Sequence, residues 1–466
     1  MEDKNLATWE EHKNNVFMAL LFLDNVIVKT EGVYIIDTNG KKIMDFASGT
    51  CCSLLGHNHP KLVERLKKQL DISIHTGSAY LNKPFFDAIS KLTTVLPEGL
   101  NKIVFFCTGT EANEAAIKIA KEYTGRYGIL GFDKGHLGTS FLMQQASLCN
   151  PAKPSCKPRI SCLHKMLTPS CSRCPVKARY PECDFLCIKI SEKRLKFRLN
   201  KIAAIIAEPV ISEAGIIVPP VGYFKRLKQM LDRHGILLII DEAQTNLGRT
   251  GKWFGIEHHD VVPDILVASK QCGGGYPVSM VATNAKIQDK LIRNGFTHLT
   301  SHMNDPLGAE AVSAVIDIIR EENLVENARK EGAYLFDMLI QIKKEFPQVI
   351  SDVRGIGLMI GIELGNYKDE RPAQIGARLA YTLIENGLNI NWFSPDVLIF
   401  EPPLIITDID IKEAVEILRK SIKEVMEDRT KNSGIFRKNE LSAFAERMMS
   451  EKQPFFRRVI KRVFAG

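Results

Sequence analysis

A chain of 466 residues with 45% apolar side chains can bury a large core, and at about 150 residues per domain it has room for two or three domains. Its net charge of +8 sits mostly at one end, where residues 429–466 hold ten Lys/Arg against three Glu, so the near-neutral body predicts no nucleic-acid partner. No apolar stretch reaches the roughly 18–20 uncharged residues of a membrane helix, and MEDKNLATWEEHKNN is too polar for a signal peptide, so a soluble cytoplasmic protein is expected.

In chain order, VYIIDTNGKKIMDF (33–46) alternates apolar and polar residues around Asn39-Gly40, which predicts a hairpin. IVFF (103–106) then leads through CTGT into the helical pattern EANEAAIKIAKEY. IAAIIA (202–207) leads through EPVISEAG to a helix near Tyr223–His234, and ILLII (236–240) runs into DEAQ. ILVA (265–268) ends in Ser269-Lys270 and three glycines. Continuous apolar strands alternating with helices predict an α/β fold whose mostly parallel sheet is covered on both faces.

Beyond residue 305 the rhythm changes. Long helices (309–345), short strands in DVRGIGLMIGIEL (352–364) and helices at 371–386 and 409–426 predict a smaller α+β domain. The expected organisation is an N-terminal segment (1–50) joined to that smaller domain, a large domain (51–305), the small C-terminal domain (306–428) and a basic tail (429–466). Residues 144–190, rich in Cys, Pro and Lys, read as an insertion into the large domain.

Lys270 is either a solvated strand-end lysine or a functional amine. Two features favour the second. Asp241 stands at the carboxyl end of ILLII, where α/β sheets gather ligands and where an unpartnered charge is costly. CTGTEANEAA (107–116) joins a strand to a helix N-terminus, a seat for phosphate at Gly109 and Thr110; Glu111 reads as an ordinary N-terminal charge. An amine, an acid and a phosphate seat at three strand ends match the needs of pyridoxal phosphate: a lysine for its aldehyde and a carboxylate for its ring nitrogen. The glycines after Lys270 would let backbone pass close to the cofactor.

The stretches AEPVISEAGIIVPP (207–220), IIDEAQTNLGRTGKWFGIEHHDVVPDILVASKQCGGGYP (239–277), DVRGIGLMIGIEL (352–364) and DFASGTCCSLLGHNHP (45–60) resemble the class III aminotransferases of the fold-type I pyridoxal-phosphate enzymes. TSHMNDPL (300–307) and DEAQTNLGRTG bring the dialkylglycine decarboxylase branch nearest. The resemblance implies an aminotransferase fold with a large cofactor-binding domain, a Schiff base on Lys270 and Asp241 at the pyridinium nitrogen. It further implies Gln244 on the phenolic oxygen, Ala243 on a ring face, and Gly109 and Thr110 on the phosphate. Ser301 replaces a threonine that reaches the phosphate of the neighbouring subunit, which implies a homodimer with shared sites. Glu208 and Arg354 hold familiar positions read as structural first, with Glu208 at the cofactor site. The partners implied are a small amino donor and a carbonyl acceptor.

Three departures alter the expected specificity. His136 stands where an aromatic ring stacks on the cofactor, and it can also titrate. In LIFEPPL, Ile399 fills the place of an arginine that grips a substrate carboxylate, which an aliphatic side chain cannot do. Thr50 replaces a glutamine expected near a scissile carboxylate. The second and third changes favour an aminotransferase of atypical specificity; decarboxylating transamination, racemisation, or cofactor binding without turnover are the alternatives. Transfer itself is expected to need a Lys270 pKa lowered by a cationic, desolvated site.

Cys171-x2-Cys174-x8-Cys183-x3-Cys187 could be reduced structural thiols, or four ligands for a structural zinc ion or iron–sulfur cluster, with Cys149, Cys156, Cys162 and His164 nearby. His57 and His59 in GHNHP resemble a metal pair but belong to the family motif. The tail PFFRRVIKRVFAG predicts a basic amphipathic helix that packs on its own protein or meets a membrane or partner.

Overall fold

The computed structural model describes residues 3–17, 23, 25–147, 157–394 and 396–428; the tail, Cys149 and Cys156 lie outside the described residues. A seven-stranded sheet runs in the order Lys102–Phe106, Ser279–Thr283, Ile265–Ala268, Leu237–Asp241, Ile202–Ala207, Gly128–Phe132, Leu163–Met166. Only Ser279–Thr283 is antiparallel to its neighbours; the remaining pairs are parallel.

Alternation along these strands explains their unbroken apolar runs. Leu238 and Ile240 join one buried cluster while Leu237 and Ile239 join another, so helices cover both faces. Burial of both faces is what forces a strand such as LLIID to carry no polar residue until its end.

The predicted hairpin forms, pairing Tyr34 with Met44 and Ile36 with Lys42. Its second strand continues in parallel to Leu388–Asn389, tying the N-terminal segment to the C-terminal part of the chain. Helices Pro306–Glu321 and Leu324–Glu345 lead into the antiparallel pair Ile350–Ile356 and Met359–Leu364, which joins Val397–Phe400 and Asn391–Ser394 in a third sheet.

One expectation needs correction. The stretch 144–190 is not wholly an insertion, because Leu163–Met166 forms the edge strand of the central sheet beside Gly128–Phe132. An edge strand is half open to solvent, so LHKM tolerates a His and a Lys and reads as loop. Among the described residues no helix is long and apolar enough to cross a membrane.

Candidate active site

Parallel strands bring their carboxyl ends to one edge of the sheet, and there a cavity of about 400 Å³ opens. It is lined by Asp241 from the end of one strand, Lys270 from the end of the next, Glu208 after Ile202–Ala207 and His136 after Gly128–Phe132. Thr50, Ala243 and Gln244 line it too, as do Gly109 and Thr110. Nine of the residues singled out from the sequence therefore meet in one space.

Gly109 and Thr110 open the helix Gly109–Thr124, whose first-turn N–H groups and positive dipole end face the cavity edge. A side chain at 109 would stand 2.5 Å from Ser269 Oγ, so only glycine lets the helix start this close to the lysine strand. Thr108 caps the helix by accepting from Glu111 N, and Glu111, read from the sequence as an N-terminal charge, accepts from Cys107 N at 3.1 Å.

Asp241 is 3% exposed and accepts from Asn113 Nδ2 at 2.7 Å and Ala243 N at 2.9 Å. Burial pushes its carboxyl up, against the pull of Asn113, the Ala243 amide, Lys270 and His136. A cation bound in the cavity would complete its environment. Glu208 is also buried, and burial together with Asp241 drives its carboxyl up to about 8, although it accepts from His136 N at 2.9 Å. At neutral pH it is mostly a neutral acid.

Lys270 adopts φ 50°, the left-handed region, at the start of a single 3-10 turn. The Gln244 amide, in the orientation that satisfies both of its ends, accepts from Lys270 Nζ at 2.6 Å. Burial pulls the Lys270 amine down, but Cys51, Glu213 and Glu401 more than reverse it, so its pKa is raised. Burial also pushes the Cys51 thiol far up, which leaves it uncharged at neutral pH. The carboxyl groups among the neighbours that raise the Lys270 pKa are those of Glu213 and Glu401. The expected cationic site with a lowered lysine pKa is not what this chain builds around that amine.

The glycines after Lys270 serve packing more than cofactor approach. A Cβ at Gly273 would meet Val278 at 2.8 Å, and one at Gly274 would meet Leu62 at 2.8 Å; Gly275 alone of the three lines the cavity. Ile399 does not line it, nor does Ser301, which was expected at a neighbouring subunit's site. Ile399 is buried in an apolar cluster with Val210, Ile216, Met359 and Val397, of which Val210 lines the cavity. Ser301 is exposed in a turn, where Ser78 Oγ donates to its carbonyl at 3.0 Å.

Three residues near the centre escaped notice in the sequence. Asn113 lies one helical turn beyond Gly109, facing Asp241. Glu213 lines the cavity and pairs with His136 Nδ1 at 2.9 Å. Glu401 lies behind the cavity, 1% exposed. It follows the apolar run VLIF just as Asp241 follows LLII, and that repeated pattern of a buried strand ending in an acid was the available signal.

The family's sequence model for class III aminotransferases matches residues 20–422. The chain belongs to the class III aminotransferase family. Among its relatives, the leucine/methionine racemase of Thermococcus litoralis is 35% identical over 410 residues, 87% of this chain and 92% of that one. The acetylornithine aminotransferase of Methanopyrus kandleri is 33% identical, covering 85% of this chain and 94% of its own. Among solved structures, an (S)-enantioselective omega-transaminase from Thermomicrobium roseum aligns with a TM-score of 0.83 and 26% identity over 91% of this chain and all of that one. The class III aminotransferase described here is thus a fold-type I enzyme, with the central sheet and site edge of that architecture.

Family membership carries an expectation of pyridoxal phosphate, and the residues fit it. A buried carboxylate short of a cation, an amine on the next strand and an open helix N-terminus with a glycine at its first position surround one space of suitable size. The cysteines fit a metal less well. Cys171, Cys174, Cys183 and Cys187 border one small cavity, yet among the described residues the only group of three or more ligating atoms within 4.8 Å of one another is His75, His302 and Asp305. Nothing here supports the zinc or iron–sulfur expectation. His57 and His59 do not converge either: His57 Nε2 meets Asp45 at 2.8 Å and His59 Nε2 meets Glu322 at 3.3 Å. Arg354 is structural, bonding the Gly215 carbonyl at 2.8 Å and Glu363 at 2.6 Å.

Proposed function

We propose that this class III aminotransferase uses pyridoxal phosphate at Lys270 to move an amino group from an amine to a carbonyl acceptor. The observation that carries the reading is the convergence of Lys270, Asp241 and the Gly109–Thr110 helix start on one cavity. When bound, the cofactor supplies an aldehyde that captures amines and a ring that accepts electrons. Lys270 Nζ offers the amine for that aldehyde and afterwards carries the proton taken from the donor's amine-bearing carbon. Asp241 would favour a positive charge on the ring nitrogen, with Asn113 and the Ala243 amide fixing its carboxylate. Gly109 and Thr110 would supply N–H groups to the phosphate, and His136 offers a flat ring beside Glu208 and Glu213.

The donor class is an amine without a carboxylate on the reacting carbon. Among the described residues lining the cavity Lys270 is the sole Lys or Arg, against the carboxyl groups of Glu213 and Asp241, with Glu208 mostly neutral. Ile399 leaves no fork for a carboxylate in the small domain. Two copies of the chain form the working unit, each lending the Ser301 turn to the other's phosphate seat; its exposure outside its own cavity supports this. The test is a panel of amines with and without an α-carboxylate, followed by loss of the visible band of the lysine-bound cofactor. Faster loss with amino acids than with simple amines would overturn the donor class.

A second reading, inversion at Cα without any acceptor, draws support from the likeness to leucine/methionine racemase. Loss of optical rotation in a single L-amino acid, with no carbonyl compound added, would select it; release of carbon dioxide would select decarboxylation instead.

A further inference from the structure

Behind Lys270 lies a polar group that the proposed reaction does not yet use. Glu401 follows the strand Val397–Phe400, and its backbone is fixed on both sides: its N–H donates to the Phe46 carbonyl at 2.7 Å and its carbonyl accepts from Ser48 Oγ at 2.5 Å. One carboxylate oxygen, Oε2, accepts from Cys51 Sγ at 2.8 Å and from Asn391 Nδ2 at 2.8 Å. The other, Oε1, accepts from the Gln244 amide nitrogen at 3.3 Å. Every neighbour of these oxygens is a donor, which is the environment of an ionised carboxylate.

The far end of the Gln244 amide is its oxygen, and that atom takes the Lys270 Nζ bond at 2.6 Å. Glu401 and Lys270 together fix which way the amide points, whereas Ser212 Oγ, 3.0 Å from the nitrogen and 3.2 Å from the oxygen, suits either orientation. Were Gln244 reversed, its oxygen would confront Glu401 Oε1 and its nitrogen would confront the ammonium, so both ends would be repelled. We propose that Glu401 is a positioning residue of the reaction centre, orienting the Gln244 carbonyl onto Lys270 and holding a negative charge behind that amine. The cofactor role of Lys270 rests on the reading above, but the contact chain Glu401–Gln244–Lys270 stands without cofactor. The raised proton affinity of Lys270, to which Glu401 contributes, agrees with it.

The test reads Lys270 in the full-length chain freed of cofactor. Limiting acylation across a pH series, quantified by mass spectrometry of the Lys270 peptide, gives the amine's titration midpoint. Glu401→Gln keeps the shape but lets the residue present an amide to Gln244, so the proton affinity of Lys270 should fall about tenfold or more, the effect of losing a nearby opposite charge. Glu401→Asp keeps the charge and should recover most of that loss. Gln244→Leu leaves Glu401 in place but removes the relay, and should lower the same affinity. The band of the lysine-bound cofactor should titrate in the same direction in Glu401→Gln holoenzyme.

A folded Glu401→Gln protein whose Lys270 titrates as in the wild type would overturn the proposal. If that variant does not fold, a wild-type midpoint in Gln244→Leu would overturn it instead. Because the acylation needs no cofactor, absence of a visible band from every protein would overturn the cofactor assignment alone.

Discussion

Glu208 offers a quantitative check on the electrostatics of the cavity. Its carboxyl is pushed from an ordinary 4.5 up to about 8 by burial first and Asp241 second. The folded state therefore keeps a proton that the unfolded chain releases above pH 4.5. A raised folded-state pKa means that stability is greatest below the unfolded value and is lost as pH rises towards the folded one. At 1.36 kcal/mol per unit, the loss is on the order of 3 kcal/mol by pH 7 and 5 kcal/mol at pH 8 and above. Glu208→Gln has no proton to lose, and its amide oxygen can still accept from His136 N. The variant should match the wild type at pH 4 and exceed it progressively up to pH 8. Urea denaturation of the cofactor-free proteins at five pH values would read this difference. Parallel loss of stability in both proteins would refute the reasoning, since it would mean that Glu208 ionises normally in the fold.

Three other substitutions have defined outcomes. Asp241→Asn should weaken cofactor binding roughly ten- to hundredfold, the worth of a hydrogen bond to a charged group, read by equilibrium dialysis; it should also flatten the pH slope of Glu208, whose shift Asp241 helps cause. Gly109→Ala places a methyl 2.5 Å from Ser269 Oγ and should loosen the phosphate seat, with pyridoxal phosphate affinity falling more than that of unphosphorylated pyridoxal. His136→Phe keeps a flat ring but loses the 2.9 Å pair to Glu213, so the cofactor band should persist while steady-state turnover falls.

Much of the architecture was legible because burial on both faces leaves an unmistakable trace. Runs such as IAAIIA and LLII admit no polar residue, and the acid or lysine that ends each run marks the edge of the sheet. The hairpin at Asn39-Gly40 and the helix at Tyr223–His234 were equally plain from local chemistry. The strand Leu163–Met166 was hidden because an edge position does not demand apolar residues. At the site, Lys270, Asp241 and Gly109 stood out by position within their elements. Glu213, Asn113 and Glu401 did not, because their importance arises from partners 77, 128 and 157 residues away in sequence, His136, Asp241 and Gln244. Ile399 drew attention as a substitution, yet the residue two places on, Glu401, is the one whose side chain joins the lysine's hydrogen-bond network.

The central claim is that Lys270 carries the cofactor. Borohydride treatment of the protein saturated with pyridoxal phosphate, followed by tryptic mass spectrometry, tests it most directly. The account predicts a pyridoxyl mass increment on the peptide containing Lys270, and none at that position in Lys270→Ala. An increment confined to other lysines, or a wild-type protein that takes up no pyridoxal phosphate at saturation, would contradict it.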